Sequence, residues 1–197
     1  MVARLFLGRH GLADYETELV TDDGGSLTGE GRGQARALGD RLRSEGVEAV
    51  WSSPLSRAVQ TAELAAGVLG VEVTVREGLR EYGVGSLAGT DGSETEVIGP
   101  VFERWVGGDD EATIPGGEAV SGVVARVRAV LVEVADRHED GTALVVSHGG
   151  AIMATVPVLV GRPRASAWDL LLGGGGYVEL VRAGATWSVA AEHLRLD

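Results

Sequence analysis

The chain has 197 residues, 44% of them hydrophobic and 23% charged, so it can bury a substantial core and we expect one domain over residues 1–197. Its formal net charge of -12 argues against nucleic acid and anionic membrane surfaces as partners, because both bind basic faces. Cysteine and lysine are absent, which excludes thiolate nucleophiles, cysteine zinc sites and catalytic lysines. No apolar run is long enough for a membrane span, and we expect a cytoplasmic protein.

The first part of the chain predicts strands that alternate with helices. An apolar run at 2–8 predicts a strand buried on both faces, and a helix capped near Thr28 follows a polar loop. "VEAVWSS" predicts a second strand, and in the next helix we expect Ser53 as the cap and Pro54 in the first turn. "VEVTV" predicts a third strand.

The second part continues the alternation. We expect an ordered loop over 78–92, a helix over 93–107, an amphipathic helix over 118–138 and a helix over 150–160. "TALVVSHGG" predicts a fourth strand, and "YVELVRAGATWSVAAEHL" predicts a hairpin. This order predicts a three-layer α/β/α sandwich with a mostly parallel central sheet and antiparallel edge additions.

Two strand ends carry a histidine followed by glycine. Arg9-His10-Gly11 closes the first strand and Ser147-His148-Gly149 closes the fourth. Ligands of open α/β sheets bind at the carboxyl ends of the strands, so both histidines are expected at one edge. The glycines, Gly149 among them, let the backbone approach a ligand closely.

Arg57 and Glu81 are expected at the same edge. Arg57 lies in the first turn of the helix after the second strand, where the helix N-terminus also attracts anions. The alternative for Arg57 is a surface ion pair with Glu63. Glu81 follows the third strand and is a candidate proton donor, for which Glu77 is the alternative.

Together these residues suit a phosphoryl group. Guanidinium groups grip two oxygens at once, as Arg9 and Arg57 would do. A neutral His10 could attack phosphorus, and a protonated His148 could stabilise charge on the oxygens. Trp105 and Trp168 could line a pocket, but as isolated aromatic residues they are expected in the core. His138 and His193 are expected at the surface near the ends of elements.

The ordered motifs "LGRHG", "LTGEGRGQARALGDRL", "WSSPLSRAVQTAE", "LREYGVGSLAG", "IPGGEAV" and "ALVVSHGGAI" resemble those of the histidine phosphatase superfamily, which includes the cofactor-dependent phosphoglycerate mutases. The resemblance covers about residues 3–160. It implies that His10 becomes a phosphohistidine, that Arg9, Arg57 and His148 hold phosphoryl oxygens, and that Glu81 is the general acid and later the base. It also implies that no metal and no cofactor is required.

The sequence departs from the family pattern around the phosphate site. The family usually has polar residues where this chain has Leu12, Ala13 and Glu16, and a glutamate where it has Ala88. The site therefore loses a donor and gains a carboxylate at Glu16. We expect this segment, and Glu16 in particular, to influence substrate choice.

Three functions remain open at this point: a phosphatase that acts on a small-molecule phosphomonoester, a phosphoglycerate mutase-type enzyme, and a non-catalytic phosphate-binding protein. Mutases of the family carry a longer insertion between the acid and the second histidine, whereas only 66 residues lie between Glu81 and His148 here. The short spacing favours hydrolysis. The expected partner is a small phosphorylated substrate, and the chain could form a homodimer.

Overall fold

The computed structural model describes residues 2–91 and 98–195. The strands in this part of the chain are β1 (Val2–Arg9), β2 (Ala13–Asp14), β3 (Ser26–Leu27), β4 (Val47–Ser52), β5 (Val73–Val75), β6 (Thr142–Ser147), β7 (Tyr177–Ala183) and β8 (Thr186–His193). The α-helices are α1 (Gly29–Leu42), α2 (Ser56–Leu69), α3 (Ile98–Val106), α4 (Val120–Arg137) and α5 (Gly149–Leu159). Part of the helix predicted over 93–107 lies outside the described residues.

Six strands form the central sheet in the order β5-β4-β6-β1-β7-β8. The first four of these run parallel, and β7 and β8 add to one edge as the predicted antiparallel hairpin. The fold class is therefore the predicted α/β sandwich with a mostly parallel sheet.

Both faces of the sheet are covered, and alternate residues of β1 show this. Leu5 and Leu7 pack into a cluster with buried residues of α4 and α5, whereas Phe6 packs on the other face with residues of α1 and α2. A strand buried on both faces needs the continuous apolar run that predicted it. The helices thus form the two outer layers.

The sheet brings three strand ends together at one edge. In the parallel register Arg9 pairs with Ser147, and Ser52 pairs with Val146. The residues that follow β1, β4 and β6 therefore begin next to one another. This placement positions the functional site.

Local details differ from the sequence predictions. The helix α2 begins at Ser56 and not at Pro54, because Leu55 is extended (φ -65°, ψ 133°) and makes no side-chain cap. Leu55, and not Ser53, is at the capping position. The Ser53 hydroxyl contacts the side chain of His148, as described below. The third strand is shorter than predicted, and the two-residue strands β2 and β3 pair within the polar loop after β1. In the described ranges, no helix combines the length and the apolar character that a membrane-spanning helix needs.

Candidate active site

A cavity of about 470 Å³ opens at the carboxyl ends of β1, β4 and β6. Its lining includes five of the predicted site residues, together with the next glycine of α5: Arg9, His10, Arg57, Glu81, Gly149 and Gly150. The cavity therefore lies at the edge of the sheet where the site was predicted. His148 does not line the cavity.

The protonation pattern of His10 follows from its two partners. Its Nδ1 lies 2.8 Å from the carbonyl oxygen of Gly11, which can only accept a hydrogen bond, so Nδ1 carries the proton. Its Nε2 lies 3.3 Å from Nε of Arg57, which can only donate. Both contacts fix the same neutral tautomer, in which the lone pair is on Nε2.

Burial keeps His10 neutral. The residue is 8% exposed, and this burial, aided by the positive charges of Arg57 and Arg9, lowers the pKa of His10 to about 4. At neutral pH the ring is therefore an uncharged imidazole whose Nε2 carries an electron pair and no proton. Such a ring is a competent nucleophile toward phosphorus.

Arg57 is a buried cation held toward the site. It is 4% exposed, its Nη1 donates to the carbonyl oxygen of Gly24 at 2.9 Å, and its guanidinium lies over the Tyr15 ring at 5.4 Å. Among the described residues no carboxylate pairs with it, so the alternative ion pair with Glu63 is not formed. Its charge remains available to an anion.

Arg9 approaches the first turn of α5. Its Nη1 donates to the carbonyl oxygen of Leu172 at 2.6 Å, and its buried Nε has no hydrogen-bond partner among the described residues. A Cβ at Gly149 would lie 3.5 Å from that Nε, an ordinary van der Waals distance, so the Arg9 side chain lies directly beside the start of α5. The Arg9 guanidinium and the N-terminus of α5 thus share one wall of the cavity.

His148 is buried next to His10. The two ring centroids are 5.2 Å apart, and Nε2 of His148 lies 2.7 Å from Oγ of Ser53. Burial, together with the neighbouring positive groups, lowers the pKa of His148 well below its usual value. The ring is therefore neutral here, unlike the protonated His148 that the sequence predicted, and a bound anion nearby would raise its pKa.

Ser53 is a functional residue that was not predicted from the sequence, because a Ser-Pro pair is typical of the start of a helix. Its position in the motif "WSSPLSR" was the available signal. Its hydroxyl oxygen accepts the N–H of Leu55 at 3.3 Å and contacts His148. Ser53 therefore fixes the orientation of the second histidine.

Glu81 closes the other side of the cavity. Its carboxylate accepts the backbone N–H groups of Gly150 at 3.0 Å, Ala151 at 2.7 Å and Tyr82 at 3.1 Å. A Cβ at Gly150 would lie 2.9 Å from Oε1 of Glu81, so this close approach requires glycine. Burial of the carboxyl group raises the pKa of Glu81, and the three N–H groups oppose the rise.

The alternative acid, Glu77, does not line the cavity. It is exposed and lies 3.7 Å from Arg80 on the outside of the same loop. Of the two acids, the structure brings only Glu81 to His10.

One arginine of α4 holds the loop that carries Glu81. The Arg126 guanidinium donates to the backbone carbonyl oxygens of Gly78 at 3.0 Å, Arg80 at 2.6 Å and Glu81 at 2.9 Å. It also pairs with Glu118 at 3.0 Å. Nothing in the helical pattern of α4 distinguished Arg126 from an ordinary surface arginine.

The unusual residues after Gly11 lie beside the cavity and not in its lining. The backbone N–H of Leu12 donates to Oε1 of Gln34, and Ala13 belongs to β2. The Glu16 carboxylate accepts the N–H of Gly25 at 3.1 Å, and this contact lowers its pKa. Glu16 therefore contacts the loop whose Gly24 carbonyl holds Arg57.

The apolar wall of the cavity could not be read from the sequence. It includes Tyr82, Phe102, Met153 and Trp168, which come from four separate segments. The interpretation of Trp168 as a core residue was wrong, because its side chain is 43% exposed at the cavity mouth. Trp105 is in the core, as expected, with 1% exposure.

The two remaining histidines are partly buried at strand and helix ends. His138 accepts a hydrogen bond from Nε1 of Trp51 at 3.1 Å, and His193 packs on Tyr177 at a centroid distance of 4.6 Å. Neither lines the cavity. Within residues 2–91 and 98–195, no group of three or more acidic or histidine side chains could hold a metal ion.

Comparison with known proteins agrees with this geometry. Residues 5–193 match the model of the histidine phosphatase superfamily, branch 1. The chain belongs to this superfamily. A probable phosphoglycerate mutase GpmB from Salmonella paratyphi B is 32% identical over 171 residues, which cover 84% of this chain and 77% of that protein.

Two solved structures share the fold. A mycobacterial glucosyl-3-phosphoglycerate phosphatase superposes with a TM-score of 0.80 at 28% identity, over 98% of this chain and 99% of that one. Bacillus stearothermophilus YhfR gives a TM-score of 0.81 at 27% identity, over 97% and 96% of the two chains. The protein is thus an enzyme of the histidine phosphatase family, with phosphatases and mutases as its relatives.

Proposed function

We propose that the protein hydrolyses a small-molecule phosphomonoester through a phosphohistidine on His10. The observation that carries the proposal is the neutral His10 tautomer, whose Nε2 lone pair faces the guanidinium of Arg57. A phosphoryl group bound by Arg57 and Arg9 lies next to that lone pair. Positioning and charge stabilisation then supply the catalysis.

In the first step, Nε2 of His10 attacks phosphorus and the bond from phosphorus to the alcohol oxygen breaks. The protonated Glu81 gives its proton to that oxygen, so the alcohol leaves uncharged. The raised pKa of Glu81 suits this task, because it keeps the carboxyl group protonated at higher pH than an exposed one. Nδ1 of His148 is buried without a partner among the described residues, and it carries the proton when Nε2 accepts the hydroxyl of Ser53. Because the ring packs beside His10 and does not line the cavity, this Nδ1 would donate only to an oxygen of a phosphoryl group that is bound against His10.

In the second step, Glu81 takes a proton from water and the water oxygen attacks phosphorus. The bond from phosphorus to Nε2 breaks, and inorganic phosphate leaves. Arg9 and Arg57 supply the positive charge that a metal provides in other phosphatases, so the proposal includes a metal-independent reaction without a cofactor. The location that we propose is the cytoplasm, as expected from the sequence.

Hydrolysis is favoured over mutase-type transfer by the access of water. Trp168 and Leu171, at the cavity mouth, are 43% and 63% exposed. A mutase must exclude water while the phosphohistidine waits for its second hydroxyl. The mutase remains the second candidate, because the GpmB relative carries that name.

The test is turnover of a panel of metabolite monoesters by the wild type and by His10→Ala. We expect hydrolysis by the wild type, complete loss in the variant, and no effect of EDTA. Isomerisation of 3-phosphoglycerate without net phosphate release would instead establish the mutase. Phosphate binding without turnover of any monoester would establish the non-catalytic alternative.

A further inference from the structure

The cavity has two chemically different ends. The phosphate end is built from His10, the two arginines and the start of α5, as described above. The wall beyond it is lined by aromatic and aliphatic side chains: Tyr82, Ile98, Phe102, Met153, Trp168 and Leu171. The alcohol part of a bound monoester would contact this wall.

The aromatic side chains of the wall are already arranged for contact. The rings of Phe102 and Trp168 meet edge to face with centroids 5.1 Å apart, and Phe102 packs on the buried Trp105 at 5.3 Å. Trp168 nevertheless remains 43% exposed. A large aromatic surface held by packing at a cavity mouth is covered favourably by an apolar ligand group.

The wall offers no counter-ion for a carboxylate. In the described ranges, the basic side chains that line the cavity are Arg9 and Arg57, and both are needed for the phosphoryl group. Asp22, which also lines it, would repel a second anion. Residues 92–97 contain two glutamates and no basic residue.

Two arginines that are close in the chain to lining residues are already paired with acids. Arg80 binds Asp23 at 2.5 Å, and Arg164 binds Asp110. A substrate carboxylate would therefore lose its water without gaining a cation, which is costly.

We infer that the substrates are phosphomonoesters whose alcohol part is aromatic or otherwise apolar and carries no carboxylate. This inference rests on the proposed hydrolase function. It separates this chain from relatives named for phosphoglycerates, whose substrates carry a carboxylate beside the phosphate. Trp168 is the specificity-determining residue of the wall.

The test compares kcat/KM for three primary alkyl monoesters with similar leaving groups: 3-phenylpropyl phosphate, glycerol 3-phosphate and 3-phosphoglycerate. The last two differ at one carbon, which is a hydroxymethyl group in one and a carboxylate in the other. We expect the phenylpropyl ester to exceed glycerol 3-phosphate by about tenfold or more, and 3-phosphoglycerate to be the poorest of the three.

Two variants of Trp168 assign the effect to the wall. Trp168→Ala should lower the ratio of kcat/KM for the phenylpropyl ester to that for glycerol 3-phosphate by about tenfold. Trp168→Arg should raise 3-phosphoglycerate relative to glycerol 3-phosphate by about threefold, because it adds a cation at the mouth. Val158→Ala, an exposed apolar truncation at the far end of α5, is the control and should change neither ratio.

The outcomes distinguish the two proposals. If 3-phosphoglycerate is hydrolysed as well as glycerol 3-phosphate, in a reaction that needs His10, the substrate class is wrong and the hydrolase proposal stands. An unchanged ratio in Trp168→Ala would also overturn the inference. If none of the three esters nor p-nitrophenyl phosphate is hydrolysed, the proposed function itself fails.

Discussion

His10 and Glu81 border the same cavity, and burial moves their pKa values in opposite directions. It lowers the pKa of His10 to about 4 and raises that of Glu81. Burial disfavours the charged form of both groups, so it favours the neutral imidazole of His10 and shifts Glu81 toward the protonated form, which are the forms that the first step needs. At the residue scale, one physical cause thus prepares both the nucleophile and the acid.

The pH dependence of kcat/KM follows from these two shifts. Below about pH 4, His10 becomes protonated and activity falls. As the pH rises through the elevated pKa of Glu81, the carboxyl group loses its proton and activity falls again. In Glu81→Gln the alkaline limb should disappear, because an amide does not titrate.

The same variant should show a dependence on the leaving group. We expect Glu81→Gln to lower kcat/KM, which reports the first step alone, by about 10²–10⁴-fold for an alkyl monoester and much less for p-nitrophenyl phosphate, whose leaving group needs no proton. An equal loss with both substrates would contradict the role of Glu81 as general acid. Glu77→Gln, in the exposed acid of the same loop, is the matched control and should leave both activities unchanged.

At the scale of elements, α4 holds the loop that carries Glu81 in place. Its Arg126 binds three backbone carbonyl oxygens of the loop over residues 78–81, including that of Glu81 itself. Ser147, at the end of β6, adds a hydrogen bond to the carbonyl oxygen of Leu79 at 2.8 Å. The position of the acid therefore depends on a helix that does not line the cavity.

Arg126→Gln should lower the free energy of unfolding by about 1–3 kcal/mol, since it leaves loop carbonyl groups without donors. As a positioning residue, Arg126 should also affect kcat/KM for an alkyl monoester more than for p-nitrophenyl phosphate, and Arg126→Lys should restore part of the loss. Chemical denaturation and steady-state kinetics measure the two effects.

Arg182→Gln is the control for this prediction. Arg182 has a similar exposure, binds the backbone carbonyl oxygens of Gly184 and Val132 and pairs with Asp136, but it lies on β7 away from the site. Its loss should destabilise the protein without any dependence on the leaving group. If both variants behave alike, Arg126 is merely structural.

The loop that joins β2 to β3 contacts Arg57 and should influence substrate binding through it. Glu16 binds the N–H of Gly25, and the carbonyl oxygen of the neighbouring Gly24 accepts a hydrogen bond from Arg57. Glu16→Ala should raise KM by about two- to tenfold through a less ordered Arg57. Glu16→Gln, which keeps an acceptor, should have a smaller effect; if neither variant changes KM or substrate preference, the segment is only a solvated loop.

For the whole molecule, the strand ends were predictable because their signals are local. An apolar run followed by Arg9-His10-Gly11 or by Ser147-His148-Gly149 marks both the strand and its functional end. The topology then requires these ends to meet, since parallel neighbours share one edge. The phosphate end of the site follows from that reasoning.

The apolar wall was not predictable, because Phe102 and Trp168 meet only through the packing of α3 against a 3₁₀-helix, Arg164–Leu170. Neither residue stands in a motif, and an isolated tryptophan is usually a core residue. The role of Ser53 likewise depends on its contact with His148, which lies 95 positions away in the chain. Specificity thus depends on long-range packing, whereas the chemistry depends on local motifs.

The most direct test of the account is to locate the phosphoryl group during turnover. The enzyme is mixed with a monoester, quenched within one turnover in denaturant at alkaline pH, where the phosphorus–nitrogen bond survives, and digested for mass spectrometry. We predict phosphate on the peptide that contains His10, and none in His10→Ala. Turnover by the wild type without phosphate on His10, or with phosphate on another residue, would contradict the mechanism.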